Sequence, residues 1–291
     1  MQIEESPLPK NIMPEADDFD ASNQVWEDLN PMIWRDAIYS DEAITNCMGK
    51  LFLEEVNLFQ NFLTELKEQE GVENVAIIEV GMGTAELFSK VYDDYDILVG
   101  IDISQTMVDC ALQLHQSLRE LQGSKVYLQV GNAVELNACI QNDIFNGQHQ
   151  FWGEKTKRLT CMCMNTFGIL PLCIRDMVVN EMFMCSNLGG KVVIGCWHKE
   201  SLRTGFTDFY TVNPQLCGVC KEEDFDFENG DFACSSSDYT SHWWNEAELT
   251  NILIRNSPFR KQDLTIKFMV IGVGIFATCD ISPTAQRMQK N

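Results

Sequence analysis

Four residues of IIEVGMGTAE (77–86) set the chemistry this segment can do: Glu79, Gly81, Gly83 and Glu86. Two glycines one residue apart let a backbone turn come close to a ligand, and the helical pattern that follows would point free N–H groups at it. A dinucleotide-binding turn would read G-x-G-x-x-G, yet Glu86 stands where the third glycine belongs. With Glu79 just upstream, a doubly negative pyrophosphate is disfavoured, and the lack of lysine in the turn argues against a nucleoside triphosphate. The turn suits a ligand with positive charge and no phosphate. Roughly 20 residues on, GIDIS ends a predicted strand at Asp102, a carboxylate able to accept both hydroxyls of a ribose. In VYLQVGNA, Asn132 offers an amide to the edge of a base, with Ala133 beside it.

A second group of residues would serve a reacting partner. QVWEDLNPMIWRDAIY, CWHKESLRTGFTDFYTVNPQLCG and YTSHWWNEAEL interleave Trp26, Trp34, Tyr39, Phe209, Tyr210, Tyr239, Trp243 and Trp244 with Glu27, Asp36 and Asp208. Aromatic faces and carboxylates stabilise a growing positive charge, as an amine or thioether acceptor would develop. Arg35, Arg203 and Asn213 are candidates to hold a substrate carboxylate. His198 and His242 are the candidate proton acceptors, and Tyr210 joins them as a catalytic candidate. Each aromatic and histidine is equally able to be a packing residue. His115 and His149 read as surface or packing residues. Cys217 and Cys220 form C-x-x-C, but Cys234 and His242 follow at wider spacing than zinc sites favour, so no metal is expected.

The elements that must position these residues alternate. Strand-like runs VAIIEV, DILVGID, KVYLQV, RLTCMCMN and KVVIGCW are separated by helical patterns from Ala85, over Thr106–Leu121 and over Ile174–Asn187. Such alternation needs crossover connections, so the fold class is α/β with a parallel sheet covered on both faces. After a helix near 246–254, LTIKFMV and GVGIFATCD turn tightly at Gly272 as a C-terminal hairpin. Apolar positions from Ile44 to Leu66 recur at helical spacing and end at Gly71. Residues 199–244 break the alternation and read as a lid insertion. Residues 1–23 are polar and acidic with three prolines, a flexible arm, leaving 24–291 as one domain with a helical cap over 24–71.

Taken together, EVGMGTAE, GIDIS, GNA and CMCMNTFGIL resemble the motifs of class I S-adenosylmethionine-dependent methyltransferases, over roughly residues 75–200 and the final helix and hairpin. The resemblance implies a Rossmann-like, mostly parallel seven-stranded sheet with an antiparallel C-terminal hairpin. It implies S-adenosylmethionine as cofactor, its amino-acid half at Glu79, Gly81 and Gly83, its ribose at Asp102, and Ile103 and Met107 beside the adenine. Asn132 stands where the family usually carries an acid. Asn165 and Thr166 would lie near the transferred methyl group.

Composition narrows the partners. Lys and Arg total 21 against 43 Asp and Glu, a formal charge of −22, which disfavours nucleic acid and anionic membrane. The N-terminal stretch lacks the blocks of a secretory signal, no apolar run spans a bilayer, and 12 scattered cysteines suit a reducing, cytoplasmic setting. The expected activity is methylation of a small polar metabolite at nitrogen or sulfur. A protein substrate, a non-catalytic cofactor-binding protein and a nicotinamide oxidoreductase are the alternatives.

Overall fold

Long runs of β-branched and aliphatic residues make the central strands apolar on both faces. The computed structural model describes residues 30–39, 46–144, 153 and 155–288. The predicted arm, Trp26, Glu27, residues 40–45 of the cap and His149 lie outside the described residues. Strands β1 (Asn74–Val80), β2 (Ile97–Asp102), β3 (Val126–Val130), β4 (Thr156–Met162) and β5 (Lys191–Trp197) pair in parallel. Three short strands of the insertion, β6 (Phe225–Asp226), β7 (Asp231–Ala233) and β8 (Thr240–His242), form a separate antiparallel sheet. The chain ends on β9 (Leu264–Ile271) and β10 (Gly274–Ile281), joined by a tight turn in which Gly272 has φ 56°. The large sheet has the order β3-β2-β1-β4-β5-β10-β9, with β10 antiparallel to both β5 and β9.

The order reverses beside β1, between β2 and β4, so the carboxyl ends of these strands face the crevice where ligands bind in open α/β sheets. Register puts Glu79 opposite Gly100 on one side and Cys161 on the other. Helix packing then closes both faces. Helix α1 (Pro31–Tyr39) and helix α2 (Cys47–Lys67) lie over one face, where Phe59 and Phe62 join Ile77 and Leu159 in the core. Asn46 caps α2 by accepting from the Met48 and Gly49 amides, both at 2.9 Å, and its Nδ2 donates to the Ala37 carbonyl at 3.0 Å. One asparagine thus ties the cap's two helices together. On the other face, Val178, Met182 and Phe183 of α5 (Leu172–Cys185) pack against Ile78, Val99 and Ile194; α3 is Glu86–Val91 and α4 is Gln105–Leu114.

The predicted single helix over 106–121 is instead two. His115 breaks it with φ −111° and ψ 90°, and its Nε2 lies 3.0 Å from the Thr84 carbonyl oxygen. The insertion is packed on its own aromatic centre: Phe225 stacks on Phe232 with centroids 4.2 Å apart, and Tyr210 lies against Phe232. Among the described residues no helix is long and apolar enough to cross a membrane.

Candidate active site

A cavity partly open to solvent runs along the carboxyl ends of β1, β2 and β4. Glu79, Gly81, Gly83, Asp102, Ile103, Asn132, Ala133 and Asn165 all border it, as do Met107 and Thr166. Most sit at a strand end or in the loop that follows, which is where parallel strands deliver side chains beyond the sheet, and Met107 and Thr166 come from the first turns of the helices beyond.

The glycine turn works differently at its two glycines. Gly81 has φ 69°, and a Cβ there would stand 2.4 Å from Thr166 Cγ2, so it lets β1's turn pack on the loop after β4. Gly83 has φ 54° and a Cβ would meet nothing within 4 Å, so it borders open space. The Gly83 amide donates to Asp102 Oδ2 at 2.8 Å, and Asp102 Oδ1 accepts from Ser104 N at 3.0 Å. Two backbone donors therefore fix the carboxylate at the cavity wall. Asn132 Oδ1 accepts from Val134 N at 3.1 Å, an arrangement that orients the amide at the start of the next turn.

Among the described residues, three non-glycine residues adopt left-handed backbone, Ala85 at φ 57°, Met164 at 49° and Asn165 at 62°. The last two are consecutive and both line the cavity. Met gains nothing from that conformation, so packing and hydrogen bonds must impose it. Asn165 supplies them: its Nδ2 donates to Ser241 Oγ at 2.9 Å and its Oδ1 accepts from Trp197 N at 3.1 Å. Both ends of this amide are committed to protein groups, so Asn165 shapes the wall and does not present its side chain as a ligand-binding amide. Arg175, also buried, holds the same loop by donating to the carbonyls of Leu170 and Gly168, each at 2.9 Å.

Of the two acids flanking the glycine turn, Glu79 borders the cavity and Glu86 does not. Glu86 is buried against Arg35, whose Nε donates at 2.7 Å, with His115 Nε2 at 3.4 Å. Burial alone would raise the Glu86 carboxyl, but the hydrogen bonds and charges of His115 and Arg35 outweigh it and hold it below the usual carboxylate range. Glu86 is thus neutralised within the protein, which corrects its reading as a charge facing a ligand. Arg35 is occupied by the same pair and is not free for a substrate carboxylate. Glu79 is different: it is buried, its Oε2 has no hydrogen-bond partner, and burial, reinforced by Glu55 and Asp102, raises its carboxyl well above the ordinary value.

The cavity is lined in addition by Trp34 and Tyr39 from α1, by Cys163 and Met164, by Ile169, Leu170, Pro171 and Ile174, and by Trp197 and Tyr239. Burial first, then the charges of Glu55, Glu79 and Glu86, push the Tyr39 phenol well above its ordinary range and keep it neutral. Trp34, Tyr39 and Tyr239 were expected here. The other acceptor-side expectations among the described residues are not brought to this cavity. Trp243 is fully buried, stacked on Trp197 at 5.5 Å and packed over Gly205, where a Cβ would meet its ring at 2.2 Å. Tyr210 is buried in the insertion's aromatic centre, its hydroxyl accepting from Trp243 Nε1 at 3.3 Å. Arg203 lies at the surface, bonded to Glu222 at 3.0 Å and stacked on Phe227, because the insertion's outer face gives it both partners. Asn213 donates to the Phe209 carbonyl at 2.9 Å within the insertion. His198 is held at the end of β5 by a backbone bond from its N–H to Val273 O at 2.7 Å and does not line the cavity. His242 faces a neighbouring groove, its Nδ1 2.6 Å from Asp231 Oδ1 and its Nε2 3.7 Å from Glu248 Oε1. Cys217 and Cys220 bring their sulfurs to 3.5 Å, whereas His242 is turned to the two acids.

The lid expectation changes accordingly. Of the insertion 199–244, Tyr239 alone reaches the cavity wall, and α1 contributes Trp34 and Tyr39 to it.

The large sheet, its strand order and the single antiparallel strand beside β5 define the fold of the class I S-adenosylmethionine-dependent methyltransferases. Magnesium protoporphyrin IX methyltransferase from Synechocystis PCC 6803, solved with bound SAH, is similar at a TM-score of 0.56 with 13% identity, covering 91% of this chain and 100% of that one. The PH0226 protein from Pyrococcus horikoshii OT3 is similar at 0.56 with 14% identity, over 86% of this chain and 97% of that one. The methyltransferase domain of a bacterial protein, CtHen1-CN, reaches 0.50 with 11% identity, over 79% and 100%. No protein-family model matches the sequence, and no curated protein matches it at a significant level.

Proposed function

We propose that the chain is an S-adenosylmethionine-dependent methyltransferase acting on a small polar metabolite at nitrogen or sulfur. The observation that carries this reading is the lining of one cavity, which brings together a fixed carboxylate, a glycine turn open to empty space, an unpartnered buried carboxylate and aromatic rings. The fit to the nucleoside follows residue by residue. Asp102 would accept the two ribose hydroxyls. Asn132, with its oxygen engaged, would present its NH₂ to a ring nitrogen of adenine. Glu79 Oε2 would receive the ligand's ammonium, which supplies the partner this atom lacks. Bound there, the donor supplies an activated methyl group on a sulfonium for in-line displacement.

The chain's own work is to orient and to exclude water. Trp34, Tyr39, Trp197 and Tyr239 would surround the acceptor and stabilise positive charge developing on it. The net charge of −22 favours a cationic or zwitterionic metabolite over nucleic acid, and scattered cysteines favour a cytoplasmic setting.

Calorimetry with S-adenosylmethionine and with NAD tests the cofactor. Saturable binding of the first and none of the second is expected; the reverse would remove the proposal. A deuterated methyl donor incubated with a metabolite extract would then report the acceptor by mass, and binding without label transfer to any fraction would point to a non-catalytic role. One observation favours a second acceptor class. The groove beside His242 shares Ile169, Leu170, Pro171 and Tyr239 with the cavity, giving an extended chain a path out. Label found in polypeptide and absent from metabolites would select a protein substrate.

A further inference from the structure

Glu55 stands on the buried face of α2, 1% exposed, and neither of its oxygens has a hydrogen-bond partner. No lysine, arginine or histidine among the described residues forms an ion pair with it. Its charged and titratable neighbours are Tyr39 from α1, Glu79 from β1, and Cys161 and Cys163 at the end of β4. Three of these, Tyr39, Glu79 and Cys163, line the cavity, so Glu55 lies behind its wall. An unpartnered buried carboxyl is costly in either protonation state and is most costly when ionised. The Cys163 thiol and the Met164 N–H offset that cost in part, and no cation among the described residues does.

A positive charge entering the cavity would. We propose that Glu55 is a specificity-determining carboxyl for the transfer site, neutral while that site is empty and ionised by the arrival of a cation, so that the cavity prefers the cationic donor over its neutral product. The inference rests on the proposed methyltransferase reading and deepens its donor side. The exchange balances: the carboxyl O–H of Glu55 gives its proton to solvent as the cation enters, and the resulting carboxylate faces the cation across the wall. When the methyl group has left and the sulfur is neutral, that carboxylate is again uncompensated and takes a proton back. The neutral thioether product is therefore held less firmly than the donor. Burial pushes the Glu55 carboxyl up to about 7, with the Cys163 thiol and the Met164 N–H opposing the rise, so the switch falls in the physiological range.

S-adenosylmethionine and S-adenosylhomocysteine make the probe pair, since both carry the amino-acid ammonium facing Glu79 and only the first carries the sulfonium. The ratio of their affinities cancels the contribution of Glu79. Calorimetry from pH 6 to pH 8 should show the donor's advantage over the product rising by up to about tenfold, the most a single ionisation centred near 7 can give across that interval. Proton release on binding the donor, read from buffers of different ionisation enthalpy, should fall over the same range. In Glu55→Gln the ratio should become independent of pH while product affinity is kept. A pH-independent ratio in the unaltered protein would overturn the inference even if the variant failed to fold. An unchanged slope in a folded variant would overturn it too. If neither nucleoside binds, the methyltransferase reading itself falls and this inference with it.

Discussion

Replacing Asp102 by alanine probes the ribose site and the glycine turn at once, because one carboxylate serves both. Its two oxygens accept from Gly83 N at 2.8 Å and Ser104 N at 3.0 Å. Hydrogen bonds to a charged acceptor contribute about 1.5–3 kcal/mol each when buried, and water at the cavity wall will replace part of that. The substitution should therefore lower stability by about 1–3 kcal/mol and weaken S-adenosylhomocysteine binding by about 1–3 kcal/mol, roughly 5- to 150-fold. Thermal unfolding without ligand reads the first quantity and calorimetry the second. Loosening of the turn would also weaken binding, so a cycle with the 2′,3′-dideoxy ligand separates the causes. In the unaltered protein the dideoxy analogue should bind far more weakly than its parent; in Asp102→Ala the two should bind alike. If removing the hydroxyls carries the same penalty in both proteins, the carboxylate does not hold the ribose and its role ends at the turn.

Gly81→Ala should lower the melting temperature, because the new Cβ would sit 2.4 Å from Thr166 Cγ2 at a left-handed φ, whereas Gly83→Ala should cost only the backbone strain in stability while weakening nucleoside binding. Asn165→Ala removes bonds to Ser241 and Trp197 at a left-handed position and should destabilise by about 2–4 kcal/mol in denaturant unfolding; a loss under 1 kcal/mol would mean the joint is supported elsewhere. Glu86 and Glu55 should act oppositely on the pH dependence of stability. The Glu86 carboxyl is lowered on folding, so it stabilises above the unfolded carboxylate range and that stabilisation disappears as pH falls through its folded value; Glu86→Gln should flatten the acid limb. The Glu55 carboxyl is raised to about 7, so it destabilises progressively as pH rises from the ordinary carboxylate range to 7; Glu55→Gln should gain up to about 3 kcal/mol at pH 8 and little at pH 4, and an equal gain at both would contradict its buried ionisation.

The sheet was legible because its strands are fully apolar between turn signals: KVVIGCW coincides with Lys191–Trp197, and VAIIEV misses β1 by one residue. The nucleoside end was legible for the same reason, since strand ends and their glycines are set by local sequence. The acceptor end was not. It is assembled by tertiary packing from α1, the loop after β4, Trp197 and Tyr239, and sequence order does not say which aromatic of the insertion turns outward. Trp243, Tyr210 and Tyr239 look alike as residues, yet two plug the insertion's centre and one lines the cavity. Arg35 and His115 found an internal acid in Glu86, a pairing across 51 residues that no spacing rule exposes. Glu55 did leave a trace: it lies on the apolar stripe of α2 with Leu51, Phe52, Phe59 and Phe62, where a carboxylate has no structural reason to be.

The Asn165 clasp has a practical meaning for altering what this protein accepts. One amide joins Ser241 in β8, the backbone after the fourth strand and the last residue of the fifth, so the insertion cannot shift without carrying the cavity wall with it. Grafting a foreign insertion onto this sheet would require a hydroxyl at the Ser241 position. Without that anchor, redesign aimed at the acceptor would be felt at the nucleoside as well.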